Sequence, residues 1–434
     1  MSDRVVPETH VSGPGSEPAQ GLGRGTRSDS ARGSVSRRFG RLPRMVGRDP
    51  TEAHRAATPL ELLFDLCFVG AVSQAADELG RFVAAGEVGR GVSSFVIVFF
   101  AIWWAWVNFT WFASAYDTDD VYYRIMVFVQ ITGALILAAG VPRIVVHNDF
   151  ALGVAGYVVM RVSLVTQWLR AARGDARTHR TALRYATGVT VIQICWIGFL
   201  AIPPRYQTAC FAPLLLVDMV IPVWAERAGE TSWHPRHIAE RYGLFTIIVI
   251  GESVLTATTA IQAAFEQGGF RWDLVGVIAG GLLIVFGIWW IYFAAPAHEF
   301  IDSFRSAGIW AYGHYVIFAS AAAIGAGLSV AVTYDIAATH ISRTVAGAVV
   351  TIPVALYLVV LWALHLRPHA HARAWLLQSV TPLTALLVLV ATFTPVAVLL
   401  TGLLTAALVA AKVGLEGMTE QGAEGVAGGS GAGA

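Results

Sequence analysis

Apolar runs long enough to cross a membrane recur along most of this chain, and they restrict its fold more than any other feature. A helix needs about 20 mainly apolar residues to cross about 30 Å of hydrocarbon. Charged residues make up only 14% of the sequence and hydrophobic ones 56%, whereas a soluble domain is about a quarter charged. The sequence therefore predicts an all-α polytopic membrane protein.

The apolar runs predict about twelve transmembrane helices, with ten or eleven as alternatives. The predicted spans are about 59–79, 91–113, 124–142, 150–170, 184–202, 209–225, 237–264, 274–295, 309–333, 344–366, 374–391 and 395–412. The last two spans share the Pro-interrupted stretch "ATFTPVAVLL", which leaves open whether they are separate.

Basic residues concentrate in alternate loops, as the positive-inside rule requires of cytoplasmic segments. The alternation places both termini in the cytoplasm. Residues 1–56 are rich in Gly, Ser, Pro and Arg without an apolar stretch, so we expect a disordered cytoplasmic tail. Residues 413–434 are expected to form a flexible C-terminal tail.

Two motifs recur in the same order in the two parts of the chain. "LLFDLCFVGAV" in the first span is echoed by "GLFTIIVIGES" in the seventh, and "FFAIWWAW" in the second by "VFGIWWIY" in the eighth. An even number of helices per repeat gives parallel halves, related by an axis along the membrane normal. We therefore predict two six-helix halves, 57–226 and 237–412.

Three of these stretches, "TPLELLFDLCFVGAVSQAA", "WWAWVNFTWFASAYDTDDVYYR" and "HIAERYGLFTIIVIGES", together resemble the bacterial low temperature requirement A family. The resemblance runs from about Thr58 to His365, and it implies a polytopic protein of the bacterial plasma membrane without specifying an activity. Phe64-Asp65 is also similar to the Phe-Ser-Asp first-helix motif of the endolysosomal potassium channels, which have six-helix repeats. The seventh span departs from that motif, because Thr246 stands where the first has Asp65.

Two acidic residues lie near the start of the first span. Thr58, Pro59 and Glu61 form a predicted capping box, which gives Glu61 a structural role. Asp65 lies too deep for capping. Because an aspartate at mid-helix is costly in a membrane, it should face the bundle and have a partner.

Arg161, in the fourth span, is the candidate partner of Asp65. Asp218 and Glu252 are the other deep acids, so we predict an intramembrane polar site of Asp65, Arg161, Asp218 and Glu252. Three acids against one arginine imply that some are protonated or that they face water or a cation. The alternative is that these residues only form hydrogen bonds between helices.

Other polar residues could support this site. They are Glu61, Asn108, Gln130, Arg124, which could pair with an aspartate of "YDTDDVYYR", and His314, a possible pH-responsive group. The tryptophans at 103, 104, 106, 111, 289 and 290 are predicted to form an interfacial aromatic belt. His237 and Arg241, at the start of the seventh span, are assigned to the inner side of the membrane.

The leading functional hypothesis is a transporter or channel for a small cation or polar solute. The alternatives are an intramembrane enzyme acting on lipid and a non-catalytic membrane stress or assembly factor. No catalytic, metal-binding or cofactor-binding motif is present, so we expect neither a metal nor a cofactor. Membrane lipids are the expected partners, nucleic acid is not, and homo-oligomerisation stays open.

Overall fold

The fold was obtained as a computed structural model. It describes residues 43–49, 56–268, 272–294, 301, 303–336, 339–366 and 375–429. Arg44–Ala434 forms one compact unit. Of the predicted disordered tail, only 43–49 and Ala56 belong to the described part of the chain.

All regular structure in the described part of the chain is helical. The helices are α1 (Pro59–Ala84), α2 (Val88–Tyr116), α3 (Val121–His147), α4 (Ala151–Gly174), α5 (His179–Phe199), α6 (Pro204–Glu226), α7 (Pro235–Gly268), α8 (Trp272–Phe293), α9 (Phe304–Asp335), α10 (Arg343–Leu361), α11 (Trp375–Ala391) and α12 (Ala397–Gly429). A π-helical turn, Trp362–Leu366, follows α10. The backbone of 413–429, expected to be a flexible tail, continues α12 as helix.

Eleven of the described helices are long and apolar enough to cross a membrane, and Ser379–Ala391 is a shorter apolar helix. This agrees with the prediction of ten to twelve spans. Large apolar side chains on the outer helices are exposed, for example Leu216 on α6 and Phe286 on α8. Lipid would cover such a surface. The chain is therefore a polytopic helical membrane protein.

Local sequence signals account for several helix starts. The predicted capping box of α1 is confirmed, since the Thr58 hydroxyl accepts from the Glu61 amide and the Glu61 carboxylate from the Thr58 amide. Asp120 caps α3 by accepting from the Tyr123 amide at 3.0 Å. Ser342 caps α10 in the same way. Each cap satisfies backbone donors that have no partner inside the helix.

Close helix packing depends on glycine where backbones nearly touch. A Cβ at Gly133 on α3 would lie 2.7 Å from the carbonyl oxygen of Gly156 on α4, and a Cβ at Gly156 would meet α3 equally closely. Gly280 on α8 and Gly402 on α12 make a similar contact. Such small residues let membrane helices approach closely.

The order of packed helix pairs is alike in the two parts of the chain. In the first, α1 packs on α3, α3 on α4, α4 on α5 and α5 on α6; in the second, α7 packs on α9 and the pairs continue likewise to α12. Helix α1 also packs against α7 and α9, which joins the two parts. The two-half organisation and the placement of the termini stay predictions.

Two faces of the bundle can be defined by their loops. The N-terminal face carries 117–120, 175–178 and 227–234, joined by contacts such as Tyr116 Oη to Thr178 Oγ1 at 2.6 Å. The opposite face carries 85–87, 148–150 and 200–203, where Arg90 donates to the Val146 carbonyl at 2.7 Å.

Candidate functional site

A buried cluster of charged residues joins α1 and α7 near the N-terminal face. Arg241 lies 3.1 Å from Glu61 Oε1 through Nη1 and donates to Asp65 Oδ1 through Nη2. His237 Nε2 lies 3.2 Å from Glu61 Oε1. Residues four apart on a helix share a face, so Glu61 and Asp65 of α1 meet His237 and Arg241 of α7. We call these four residues the α1–α7 cluster.

Helix α2 closes the α1–α7 cluster from the side. Trp106 Nε1 donates to Asp65 Oδ1 at 2.7 Å, and Thr110 Oγ1 lies 3.5 Å from Arg241 Nη2. Asp65, Arg241 and Trp106 are all 0% exposed. No donor among the described residues reaches the second oxygen of Asp65, Oδ2. With two carboxylates and one guanidinium, the cluster is negative unless a proton or His237 compensates it.

A second buried ion pair joins α4 and α6. Arg161 Nη2 donates to both oxygens of Asp218, at 2.8 and 2.6 Å. Trp104 Nε1 of α2 donates to Asp218 Oδ1 at 2.9 Å, and Trp196 Nε1 of α5 to Oδ2 at 3.0 Å. We call Arg161, Asp218, Trp104 and Trp196 the α4–α6 cluster.

The α4–α6 cluster satisfies its acid more completely than its base. Four hydrogen bonds fill the roughly four acceptor positions of the Asp218 carboxylate. Arg161 Nη1 has no hydrogen-bond partner within the described part of the chain. The guanidinium group lies over the Tyr157 ring, 5.0 Å from its centroid. The carboxylate therefore has no acceptor position left for a further donor, whereas one terminal nitrogen of the guanidinium group makes no hydrogen bond to a described residue.

The predicted pairing of Asp65 with Arg161 is wrong. Asp65 pairs with Arg241, and Arg161 pairs with Asp218, so the predicted acids belong to different clusters. Sequence reasoning missed Arg241 because it occurs near the start of α7, where the sequence assigns it to the inner-side basic residues rather than to the bundle interior. The available signal was its spacing of four from His237, which matches the spacing of Glu61 and Asp65.

The predicted aromatic belt is wrong for three of its members. Trp103, Trp104 and Trp106 are at most 2% exposed, whereas Trp289 and Trp290 are 43% and 49% exposed. The buried indoles of 104 and 106 each donate to a buried carboxylate. Being two residues apart on α2, they connect that helix to both clusters.

None of the five remaining predicted residues belongs to either cluster. Glu252 is buried on α7, where Thr256 Oγ1 lies 3.3 Å from its Oε1. Arg124 pairs with Asp119 at 2.7 Å, which confirms its expected partner among the loop aspartates.

Asn108 and Gln130, the uncharged supporting residues, do not contact each other or either cluster through a hydrogen bond between side chains. Asn108 donates to the Trp104 carbonyl of its own helix at 2.7 Å. Gln130 is buried, and its Nε2 has no partner among the described residues.

His314 belongs to a buried ring cluster in the second part of the chain. Its Nε2 lies 3.0 Å from Tyr292 Oη and its Nδ1 2.7 Å from the Trp310 carbonyl oxygen. Trp310 Nε1 donates to His365 Nε2 at 3.0 Å. The rings of His314 and Tyr242 are in edge contact, 5.0 Å between centroids, so this cluster adjoins the residue that follows Arg241.

Two pockets meet at Trp104. The first, with a cavity volume of about 70 Å³, extends from Ile144 and Phe150, near the opposite face, to Trp104 and Asp218. The second, with a cavity volume of about 80 Å³, extends from Glu226 and Thr231, at the N-terminal face, to Trp104. Further residues of the second pocket are Asn108 and Trp111 of α2, Trp168 of α4, Tyr185 of α5 and Tyr312 of α9. The α4–α6 cluster thus lies between cavities that approach opposite faces.

Charged groups at the N-terminal face are well paired. Burial disfavours the charged form of Asp120, but the hydrogen bonds from Arg170 and from the Tyr123 amide lower its pKa below the usual value. The pKa of Asp175 is lowered as well: burial opposes this, and the amides of Arg177 and Gly47 outweigh it. Gly47 belongs to the short segment 44–49, whose Met45 is fully buried.

No arrangement of three or more His, Cys, Asp or Glu side chains suited to a metal occurs in the described part of the chain.

Comparison with known proteins gives one family and one relative. The family model of the bacterial low temperature requirement A protein (LtrA) matches residues 56–414. The chain is also similar to the uncharacterized protein RA0937 of Rhizobium meliloti (strain 1021), with 26% identity over 309 residues, covering 67% of this chain and 73% of the relative. Both clusters and both pockets fall within the matched range.

Proposed function

This chain belongs to the bacterial low temperature requirement A family, and we propose that it is a plasma-membrane transporter for a small cation or polar solute. Both termini would lie in the cytoplasm, which makes the N-terminal face the inner one. The placement is supported by the arginines of its loops, among them Arg177 and Arg227.

The observation that carries this proposal is the meeting of the two pockets at Trp104. A carrier needs a binding position that can be reached from either side of the membrane in turn. Trp104 belongs to the walls of both cavities, and its indole N–H is bonded to Asp218. Movement of this one side chain would connect the cavities, so it fits the role of a gate.

The chemistry at the gate suits a polar or charged solute. Asp218 is a buried acid at the inner end of the first pocket, and Arg161 neutralises it at 2.6 Å. Buried ionisable residues in transmembrane segments commonly mark the path of an ion or substrate. A solute that competes for Asp218 or for Arg161 would break hydrogen bonds that hold Trp104 and Trp196 in place. Binding and gate movement are thereby linked.

The α1–α7 cluster has a supporting role in this scheme. Trp106 is bonded to Asp65 at 2.7 Å and lies two residues from Trp104 on the same helix. The buried pair of Asp65 and Arg241 therefore fixes α2 while Trp104 moves. The unpartnered Oδ2 of Asp65 and the excess of acid make this cluster responsive to protons or cations.

The test is flux in proteoliposomes that contain the purified full-length protein. Potassium, sodium, protons and guanidinium would each be followed in wild type, Asp218→Asn and Trp104→Ala. We expect flux of at least one of these in wild type, its loss in Asp218→Asn, and a faster, less selective leak in Trp104→Ala. Trp289→Ala, which changes an exposed tryptophan of α8, is the matched control and should behave as wild type.

Two results would contradict the proposal. One is flux that is unchanged in a folded Asp218→Asn protein. The other is a Trp104→Ala protein as tight as wild type.

A further inference from the structure

The first pocket has an aromatic wall with a single acid at its end. Phe100 and Trp104 are stacked at 5.9 Å between ring centroids, and Trp196 and Phe211 meet edge to face at 5.2 Å. Tyr157 and Phe150 complete the aromatic lining. Of the described residues that line this pocket, Asp218 alone is charged, because Arg161 is not part of the wall.

These lining residues determine which charge and which shape of ligand the pocket favours. Aromatic faces carry negative potential and attract cations within about 6 Å of the ring centroid. The acid at the end of the pocket adds a second attraction for positive charge. An anion would be repelled by this carboxylate, and Arg161 is not in the wall to offset the repulsion. A strongly hydrated inorganic ion gains little from apolar walls, but a flat apolar group does.

We propose that this pocket binds an organic cation with a flat apolar body, and that Arg161 takes the place of its charged group in the empty protein. The cavity of about 70 Å³ is smaller than a ligand-sized pocket, so the flat body of the ligand enters only as Trp104 moves aside. The inference rests on the proposed function in one respect only, since it names the substrate class of that transporter.

Arg161 has the contacts expected of a tethered competitor. Its Nη2 alone makes both hydrogen bonds to Asp218, and its Nη1 has no partner within the described residues. The guanidinium group already lies over the Tyr157 ring at 5.0 Å, which would hold it once the acid is released. A guanidinium or ammonium group of a ligand would then bind Asp218 in its place.

The test is binding of benzylguanidinium to the full-length protein in lipid nanodiscs, measured by titration calorimetry with empty nanodiscs as the blank. Benzylurea is the neutral probe of the same shape, and benzenesulfonate is the anionic one. We expect saturable binding of benzylguanidinium, at least about tenfold weaker binding of benzylurea, and none of benzenesulfonate.

Substitutions in the pocket lining test whether benzylguanidinium binds in this pocket. Asp218→Asn should weaken benzylguanidinium binding by about tenfold or more, because the charge attraction is lost. Phe211→Leu, which keeps the acid and removes one ring, should weaken it severalfold. Glu87→Gln, at an exposed acid paired with Arg90, should leave it unchanged. Phe211→Leu keeps the proposal falsifiable if Asp218→Asn does not fold.

Several results would overturn the inference. Equal binding of benzylurea, preferential binding of benzenesulfonate, or unchanged affinity in folded Asp218→Asn and Phe211→Leu would each do so. Absence of benzylguanidinium binding by wild type would also overturn it. Binding of benzylguanidinium without any flux would support this inference and contradict the proposed transport. Flux of small ions without benzylguanidinium binding would support the proposed transport and contradict this inference.

Discussion

Replacing Arg241 with Gln should destabilise the protein more than replacing the acid it neutralises. Arg241 is fully buried, lies 3.1 Å from Glu61 and is bonded to Asp65. Its loss leaves two carboxylates one helical turn apart without their cation. Removing one partner of a buried ion pair costs about 3–5 kcal/mol.

Asp65→Asn leaves one acid facing one arginine, so the charge stays balanced. Its cost is the loss of hydrogen bonds to a charged group, about 1.5–3 kcal/mol. The expected gap between the two variants is about 2 kcal/mol, a factor of about 30 in the folding equilibrium. The assay is reversible unfolding in mixed micelles by titration with dodecyl sulfate, followed by tryptophan fluorescence.

Arg143→Gln is the matched control, because Arg143 also pairs with an aspartate but its side chain is 57% exposed. It should unfold at the same dodecyl sulfate fraction as wild type. The reasoning would be refuted if Arg241→Gln were no more costly than Arg143→Gln. It would also be refuted if Asp65→Asn were the more destabilising of the two buried changes.

Three further predictions concern the scaffold. Gly133→Val should cost about 1–3 kcal/mol or more in the same unfolding assay, because its side chain would collide with the Gly156 backbone; wild-type stability would contradict the packing of α3 on α4. Thr58→Ala should cost about 1 kcal/mol through loss of the α1 cap, and an unchanged midpoint would argue against the capping box. Asp120 should stabilise the fold above its unfolded pKa of about 3.9, and this contribution should disappear as the pH falls through its lowered folded-state pKa. Asp120→Asn should lose that acid dependence, which unfolding midpoints measured across this pH range would show.

Hydrophobicity made the fold class predictable, because each span must be apolar along nearly its whole length. The start of α1 was predictable for a local reason, since Thr58, Pro59 and Glu61 form a cap within four residues. The pairing of Arg124 with Asp119 was also predictable, because the two residues are close in the sequence.

The ion-pair partners of the deep acids could not be predicted from hydrophobicity or from local sequence. Which arginine meets Asp65 depends on which helix packs beside α1, and apolar periodicity does not specify neighbours. Arg241 occurs near the end of a span, where arginine is usually exposed to water. Its burial results from α1, α2 and α7 packing around it.

The tryptophans of α2 show a similar limit. An indole near a membrane interface and an indole bonded to a buried carboxylate look the same in sequence, because both sit in apolar surroundings. Only the placement of Asp218 and Asp65 distinguishes them. The pockets on either side of Trp104 depend on six helices and carry no local sequence signature.

The central claim is that the two pockets are reached from opposite sides of the membrane and are separated at Trp104. The most direct measurement is sided labelling of single cysteines with a membrane-impermeant thiol reagent, in a protein whose Cys67, Cys195 and Cys210 are replaced by serine. Ala101→Cys reports on the first pocket. Gly308→Cys reports on the second, and a side chain there meets open space.

The account predicts that Ala101→Cys reacts only with reagent added outside and Gly308→Cys only with reagent added inside. Adding Trp104→Ala should make each cysteine reactive from both sides. Reaction of both cysteines from the same side, or sidedness that Trp104→Ala leaves unchanged, would contradict the account.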